Sequence, residues 1–199
     1  EIESYGSDYI QLMESVAQPA SDAVYNAISF EQAQRAAFTD PVTGLASFRT
    51  LSAQFERERA RSQRLGLPLS LLAMNVDSLA EPTLRPAPER EDIMTLLGKL
   101  IRQQLRETDL VSRHGMSGFI ALLPDSGQAE ANEVRNRICG AIKTATSDIK
   151  ISSGTATAPG NGNTFEELIQ HAHIDCIASR ESDDTLAPIL NNLLSGSSM

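Results

Sequence analysis

The run Pro68-Leu-Ser-Leu-Leu-Ala-Met-Asn-Val76 narrows the choice of fold more than any other stretch of the chain. A segment of strand length that is apolar almost throughout must be covered on both faces, which predicts a central strand with helices packed on either side. A turn-rich junction, Phe38-Thr-Asp-Pro-Val-Thr-Gly-Leu45, and a helix over about 47–64 precede it. Residues 78–90 hold Pro82, Pro86 and Pro88 and read as a loop. A helix follows over 91–105, with apolar residues at Ile93, Leu96, Leu97, Leu100, Ile101 and Leu105. Two strands, about 109–113 and 118–123, meet at a tight turn around Gly115. A helix over 127–145, a strand over 149–157 and a helix over 164–178 complete the order. This is a split βαβ pattern. It predicts an α/β sandwich whose central mixed sheet contains an antiparallel hairpin and is flanked by helices.

Ahead of this unit, residues 8–34 read as one long helix. Ile10, Met13, Ala17, Ala20, Val24 and Ala27 recur in alternating steps of three and four, the spacing of a coiled-coil seam, with Pro19 inside it. A seam of this kind must be buried. A homodimer through this helix, a neighbouring domain packed on it, and an ordinary core helix all satisfy it. Beyond the last element, a short helix around Ile189–Leu194 and a Ser/Gly-rich end form a tail. The expected divisions are therefore 1–37, 38–182 and 183–199.

Acidic residues outnumber basic ones by 26 to 17, giving a net charge of −9 without any Lys/Arg cluster. That balance argues against nucleic acid and anionic membrane as partners. No apolar run approaches the roughly 20 residues of a membrane helix, and no signal peptide is visible, so a cytoplasmic location is expected. Cys139 and Cys176 sit in apolar, helix-like contexts and read as buried free thiols. His114, His171 and His173 show no metal-ligand spacing with them, so no structural zinc is expected.

Several short motifs then fall into one register. Asp40-Pro-Val-Thr-Gly-Leu45 resembles the Asp-x-Leu-Thr-Gly-Leu entry signature of GGDEF domains. Met74-Asn-Val-Asp77 stands where that family has Asp-Ile-Asp at the end of its first strand, and Asp92 where it has the Asp of a Gly-Asp pair. Arg106-Glu-Thr-Asp109 resembles the family's Arg-x-x-Asp, and Arg113-His-Gly-Met-Ser-Gly-Phe119 occupies the Arg-Tyr-Gly-Gly-Asp-Glu-Phe hairpin. Ile149 to Ala156 and Phe165 to Arg180 are similar to the later strand and the final helix. The resemblance covers about 38–182. The N-terminal helix, Tyr9 to Phe30, is similar to the closing helix of a GAF domain.

The resemblance implies a phosphoryl-transfer site for two GTP molecules, assisted by Mg²⁺ held on carboxylates. The residues at those positions depart from the pattern. The first metal Asp corresponds to Asn75, and the hairpin's Asp and Glu to Ser117 and Gly118. The hairpin's first Gly is kept as Gly115, but its second is Met116, which puts a side chain where backbone approaches phosphate. The guanine-reading Asn corresponds to Thr83, and the neighbouring Phe-Lys pair to Leu79 and Ala80. Asp77 and Asp92 are the carboxylates that remain. The expectation is a chain without diguanylate cyclase activity and without a bound metal or cofactor.

The resemblance also implies a second site. In the family, Arg-x-x-Asp binds the product, cyclic di-GMP, as an inhibitor. Arg106 and Asp109 fit it in type and spacing, with Arg137 (or, two positions away, Arg135) as the further arginine. A guanidinium fork suits the guanine O6/N7 edge or a phosphate, and a carboxylate suits the N1–H/N2–H₂ edge. The plainer alternative is a surface ion pair between residues three apart, contributing under about 1 kcal/mol. The function expected is cyclic di-GMP reception relayed to an unidentified downstream protein. A dimerisation scaffold that binds no nucleotide and a weak cyclase are the alternatives.

Overall fold

In a computed structural model of the chain, the described residues are 17, 20–26, 38–79, 85–146 and 148–195, from 181 onward as backbone. The chain divides into two compact units, Glu1–Phe38 and Thr39–Met199. In the first, Ala17 and residues 20–26 are helical, and Val24 is exposed. The rest of the seam lies outside the described residues, as do Ala80 and Thr83.

The second unit is built from α1 (Phe48–Leu65), β1 (Leu69–Val76), a 3₁₀ turn (Asp77–Leu79), α2 (Ala87–Gln104), β2 (Leu110–His114), β3 (Gly118–Pro124), α3 (Gln128–Ala145), β4 (Ile151–Ala158) and α4 (Phe165–Ser195). Local chemistry explains most of these limits. Ser47 caps α1 by accepting the Thr50 N–H at 3.2 Å, and Gly66, at φ 66°, ends it in the left-handed conformation. At the head of α4, Glu167 accepts the Thr164 N–H and Thr164 Oγ1 accepts the Glu167 N–H, a capping box.

The sheet order is β2-β3-β1-β4, and every neighbouring pair is antiparallel, where the sequence predicts a mixed sheet. The cause is the split crossover. The connection from β1 through α2 to β2 leaves a gap one strand wide. The hairpin return β3 fills that gap, antiparallel to both of its neighbours.

As the sequence predicts, β1 is central and covered on both faces. Leu72, Met74 and Val76 join Met94, Leu97 and Ile101 of α2 and Val134, Ile138 and Ile142 of α3 in one core. Leu69, Leu71 and Ala73 join Leu51 and Phe55 of α1 and Phe165, Leu168 and Ala172 of α4 in the other. Alternation of period two sorts one apolar strand into two cores. The two cysteines follow the same geometry. Cys139 on α3 meets Ser153, and Cys176 on α4 meets the adjacent Ser152, so the free thiols lie on opposite faces of the sheet. Cys176 is buried, whereas Cys139 is half-buried rather than fully buried as expected.

Two boundaries differ from the sequence reading. Helix α2 begins at Ala87, within the stretch read as a loop, because Pro86 and Pro88 occupy its first turn, where backbone N–H groups have no intrahelical partner. Helix α4 runs unbroken to Ser195 through the stretch expected to be a separate tail. Residues 179–186 contain neither Gly nor Pro, so nothing in them stops a helix already under way.

At the outer edge of β4, side chains take up the ladder's outward donors. Asp175 accepts the Thr155 N–H, and Asn161 accepts the Thr157 N–H, each at 2.9 Å. On the same strand Gly154 lets α4 approach closely, since a Cβ there would lie 2.3 Å from both Ala172 O and Cys176 N.

Gly154→Ala should therefore lower the urea midpoint strongly, by about 2–3 kcal/mol of stability. Gly140→Ala, on α3 with nothing within 4 Å of the added carbon, should raise it by about 0.5–1 kcal/mol. Equal effects from the two would contradict this packing of α4 on β4.

Candidate functional site

The end of β1 and the hairpin come together as the sequence register requires. Asn75 is the cross-strand partner of Gly118, and the Val76 N–H donates to Ser117 O at 2.7 Å. Gly115, at φ 63°, makes the tight turn, and Met116 stands exposed at its tip. Arg113 holds the hairpin to the entry turn. Its Nη2 donates to Met116 O at 3.2 Å and its Nη1 lies 3.9 Å from Asp40 Oδ1. The entry turn is itself closed by Asp40, which accepts from the Thr43 N–H and hydroxyl, with Gly44 at φ 69°.

A run of polar contacts crosses this end of the sheet. Ser117 Oγ donates to Asn75 Oδ1 at 3.2 Å, Asn75 Nδ2 to Asp77 Oδ1 at 3.2 Å, and Ser152 Oγ to the same Asp77 oxygen at 3.1 Å. Cys176 Sγ donates to Ser152 Oγ at 3.3 Å, and Arg180 Nε of α4 stands 3.9 Å from Asp77 Oδ1. Burial, with a further push from Asp77, raises the Cys176 thiol above its ordinary pKa, so it stays protonated at neutral pH.

The Mg²⁺ that the resemblance implies does not fit these residues. A hard divalent cation needs anionic oxygens converging on one point. Here the β1 position is a neutral amide, and its hairpin partner Gly118 has no room for any side chain. A Cβ on Gly118 would lie 2.8 Å from His114 O and 3.3 Å from Met74 O. Asp92 is exposed on α2, and among the described residues no three His, Cys, Asp or Glu groups cluster as metal ligands.

The Arg106–Asp109 turn is built differently. Asp109 is 3% exposed, and its Oδ2 accepts the Arg106 backbone N–H at 2.8 Å, while the Asp109 N–H donates to Arg106 O. The two side chains form no ion pair, so the surface pair weighed from the sequence is absent. Asp109 Oδ1 is buried without a hydrogen-bond partner, and the exposed Arg106 guanidinium makes no hydrogen bond or ion pair among the described residues. Burial raises the Asp109 carboxyl above its ordinary range, opposed first by the Arg106 N–H and then by the charges of Arg106, Arg102 and Arg137.

Two of those cations secure the turn. Arg102 Nη1 donates to Arg106 O at 2.8 Å and to Asp109 O at 3.2 Å. Arg137 Nε donates to Gln104 O at 3.1 Å, at the end of α2. Arg102 is not singled out by the sequence reading; its place in the last turn of the helix, where a cation meets the terminal carbonyls, is the available signal. Arg135 stands apart. It pairs with Asp175 at 3.4 Å, beside a polar cleft of about 370 Å³ lined by Gln128, Thr155, Asn161 and His171. Most polar groups of that cleft bond one another, as Gln128 Nε2 does to Thr155 Oγ1 at 2.6 Å.

A third feature was not read from the sequence. His114 at the hairpin and His173 on α4 have ring centroids 5.6 Å apart, and Phe48 packs against His114 at 4.9 Å. Burial lowers both imidazoles below their ordinary pKa, with a further push on His114 from His173.

A family model described as "Diguanylate cyclase, GGDEF domain" matches residues 37–184. The diguanylate cyclase DgcP of Pseudomonas aeruginosa is 30% identical over 132 residues, which are 66% of this chain and 20% of that protein. The diguanylate cyclase DosC of Escherichia coli is 32% identical over 141 residues, 67% of this chain and 31% of that protein. The chain thus spans about a fifth to a third of the curated relatives it matches. Among solved structures, the diguanylate cyclase SiaD of P. aeruginosa, in complex with its activator SiaC, superposes with a TM-score of 0.66 at 22% identity, covering 91% of this chain and 73% of that one. The GGDEF domain of DgcB from Caulobacter crescentus, in complex with c-di-GMP, gives 0.65 at 18% identity, covering 73% and 91%. These two likenesses concern the fold.

The histidine pair generates a pH dependence. Folding favours the neutral imidazoles, so below their unfolded pKa of about 6.5 the unfolded chain binds more protons, and stability falls as pH falls from there through the lower folded values. Urea midpoints measured between pH 7.5 and 5.5 should decline for the wild type and decline less for His114→Gln/His173→Gln. Parallel profiles would remove the pair from the explanation.

Proposed function

The chain belongs to the GGDEF family of diguanylate cyclase domains, and from that premise we propose that it is a non-catalytic member that receives cyclic di-GMP at the Arg106–Asp109 turn. The observation that carries this reading is the unmatched chemistry of that turn. It presents a guanidinium that makes no hydrogen bond among the described residues, near a carboxylate oxygen that is buried and without a donor. A buried acceptor left unpaired costs about 1–3 kcal/mol, so a ligand that brings a donor to it is favoured.

Cyclic di-GMP supplies the complement. The guanine N1–H and N2–H₂ edge donates to Asp109 Oδ1, the O6/N7 edge or a phosphate accepts from Arg106, and Arg102 and Arg137 add positive charge. Because Asp109 is 3% exposed, docking entails rearrangement of the turn, in which the Glu107 and Thr108 side chains are exposed. The DgcB domain, whose fold this chain shares, is described in complex with the same ligand. Loss of catalysis is supported by Asn75, Ser117 and Gly118 at the positions where carboxylates would hold Mg²⁺. A downstream protein reads the liganded state, and a cytoplasmic location suits a nucleotide ligand.

Val24, on the seam of the first unit, is 58% exposed, which favours homodimerisation through residues 8–34 as an accompanying property. The full chain should sediment as a dimer and a chain starting at Ala36 as a monomer. Identical behaviour would assign the seam to an ordinary core.

Calorimetric titration tests the ligand. Wild type should bind cyclic di-GMP, and Arg106→Ala should weaken binding by roughly 2–4 kcal/mol, thirty-fold or more. Arg106→Lys should recover little, since a point charge cannot replace the planar fork. The same wild-type protein should form no cyclic di-GMP from GTP with Mg²⁺. Equal affinities for wild type and Arg106→Ala, or no binding by wild type, would sink the receptor reading; product from GTP would sink the non-catalytic one.

A further inference from the structure

The turn proposed to take the ligand is shut in this structure. Asp109 is 3% exposed, its Oδ2 is engaged by the Arg106 N–H at 2.8 Å, and its Oδ1 is buried without a donor. A ligand reaches that oxygen only after residues 106–109 shift. A side chain from outside the turn holds them in place. Arg102, in the last turn of α2, donates from one nitrogen, Nη1, to Arg106 O at 2.8 Å and to Asp109 O at 3.2 Å. The first and last carbonyls of the Arg-x-x-Asp turn are thus fastened to a single guanidinium on the preceding helix. Hydrogen bonds from a charged donor are among the stronger ones. Arg137, by contrast, donates to Gln104 O, ahead of the turn.

We infer that Arg102 is a latch on the ligand site, a positioning residue that keeps the Arg106–Asp109 turn closed over the Asp109 carboxylate and must let go before the ligand docks. The inference rests on the receptor reading and adds a regulation of that same site. Association with wild type is then limited by opening of the turn, because only the opened fraction is competent to bind. The latch is separable from the turn it holds. Arg106 O also accepts the Asp109 N–H at 3.2 Å, and the bond from the Arg106 N–H to Asp109 Oδ2 does not involve Arg102. Loss of the Arg102 guanidinium therefore frees the turn from α2 without dismantling it. Arg102 is itself exposed, so its replacement leaves the core untouched. The sign of the effect identifies its cause. Removing a cation beside a site for an anionic ligand weakens electrostatic steering and slows association, whereas removing a latch speeds it.

Two measurements on the full chain test this. Hydrogen exchange without ligand reads the latch alone: the Arg106 and Asp109 amides of Arg102→Gln should exchange at least about fivefold faster than those of wild type. Stopped-flow mixing with cyclic di-GMP reads the consequence: Arg102→Gln should associate at least about threefold faster than wild type. Arg137→Gln, which removes a neighbouring cation that does not grip the turn, should associate more slowly than wild type. Unchanged exchange at the two amides would overturn the inference. So would association by Arg102→Gln that is no faster than wild type, or equal acceleration by Arg137→Gln; in each of these cases the receptor reading stands as long as the ligand binds. Absence of binding by both wild type and Arg102→Gln would sink the receptor reading, and the latch with it, whatever the exchange rates.

Discussion

Burial of β1 on both faces is the constraint on which the remaining structure depends. A strand with Leu69, Leu71 and Ala73 on one side and Leu72, Met74 and Val76 on the other cannot sit at an edge or under a single helical layer. It demands two helical layers and a strand on each flank, and the short hairpin and the two crossovers supply them. The same strand then delivers Asn75, and the Asp77 that follows in the 3₁₀ turn, to the end of the sheet where the hairpin turns. Position in the fold and position in the site are thus set by one short run of the chain.

The two polar centres of the domain differ in how completely they are satisfied. Around Asp77 the donors and acceptors close on one another across four segments of the chain. Around Asp109 the backbone of the turn is closed, but one carboxylate oxygen and one guanidinium are left open. Polar groups that complete each other stiffen a structure, whereas groups left incomplete hold free energy that a ligand can release. That contrast supports the proposal that recognition belongs to the turn after α2, while the end of β1 is the better satisfied of the two centres.

Much of this was legible in the sequence, and the failures have definite causes. The apolar run at Pro68–Val76 and the helical spacings around it identify the layers, and the motif register brings Asn75 opposite Gly118 as the structure does. Strand direction was misread because a mixed and a fully antiparallel sheet share one element order until the split crossover is recognised. In the sequence Pro86 and Pro88 read as loop markers, although prolines also suit the first turn of a helix. In the candidate site, residue type and spacing pointed to Arg106, Asp109 and Arg137. They could not show that Asp109 faces inward, nor that two positions on α3 separate Arg137 at the turn from Arg135 at Asp175. Contacts between residues far apart in the chain, such as Arg180 with Asp77 and His114 with His173, leave no local pattern to read.

The edge of β4 has a consequence of its own. A free edge strand with outward N–H groups is a template on which another chain can add, and repetition of that step leads toward fibrous aggregates. With the Thr155 and Thr157 amides already engaged by Asp175 and Asn161, an incoming strand finds this edge chemically blunt. Asn161 closes on Thr157 within the turn that follows β4, whereas Asp175 lies on α4, so the protection is completed only once that helix has docked. During synthesis, a copy in which α4 has not yet docked leaves the Thr155 amide open, and arrival of that helix acts as the seal.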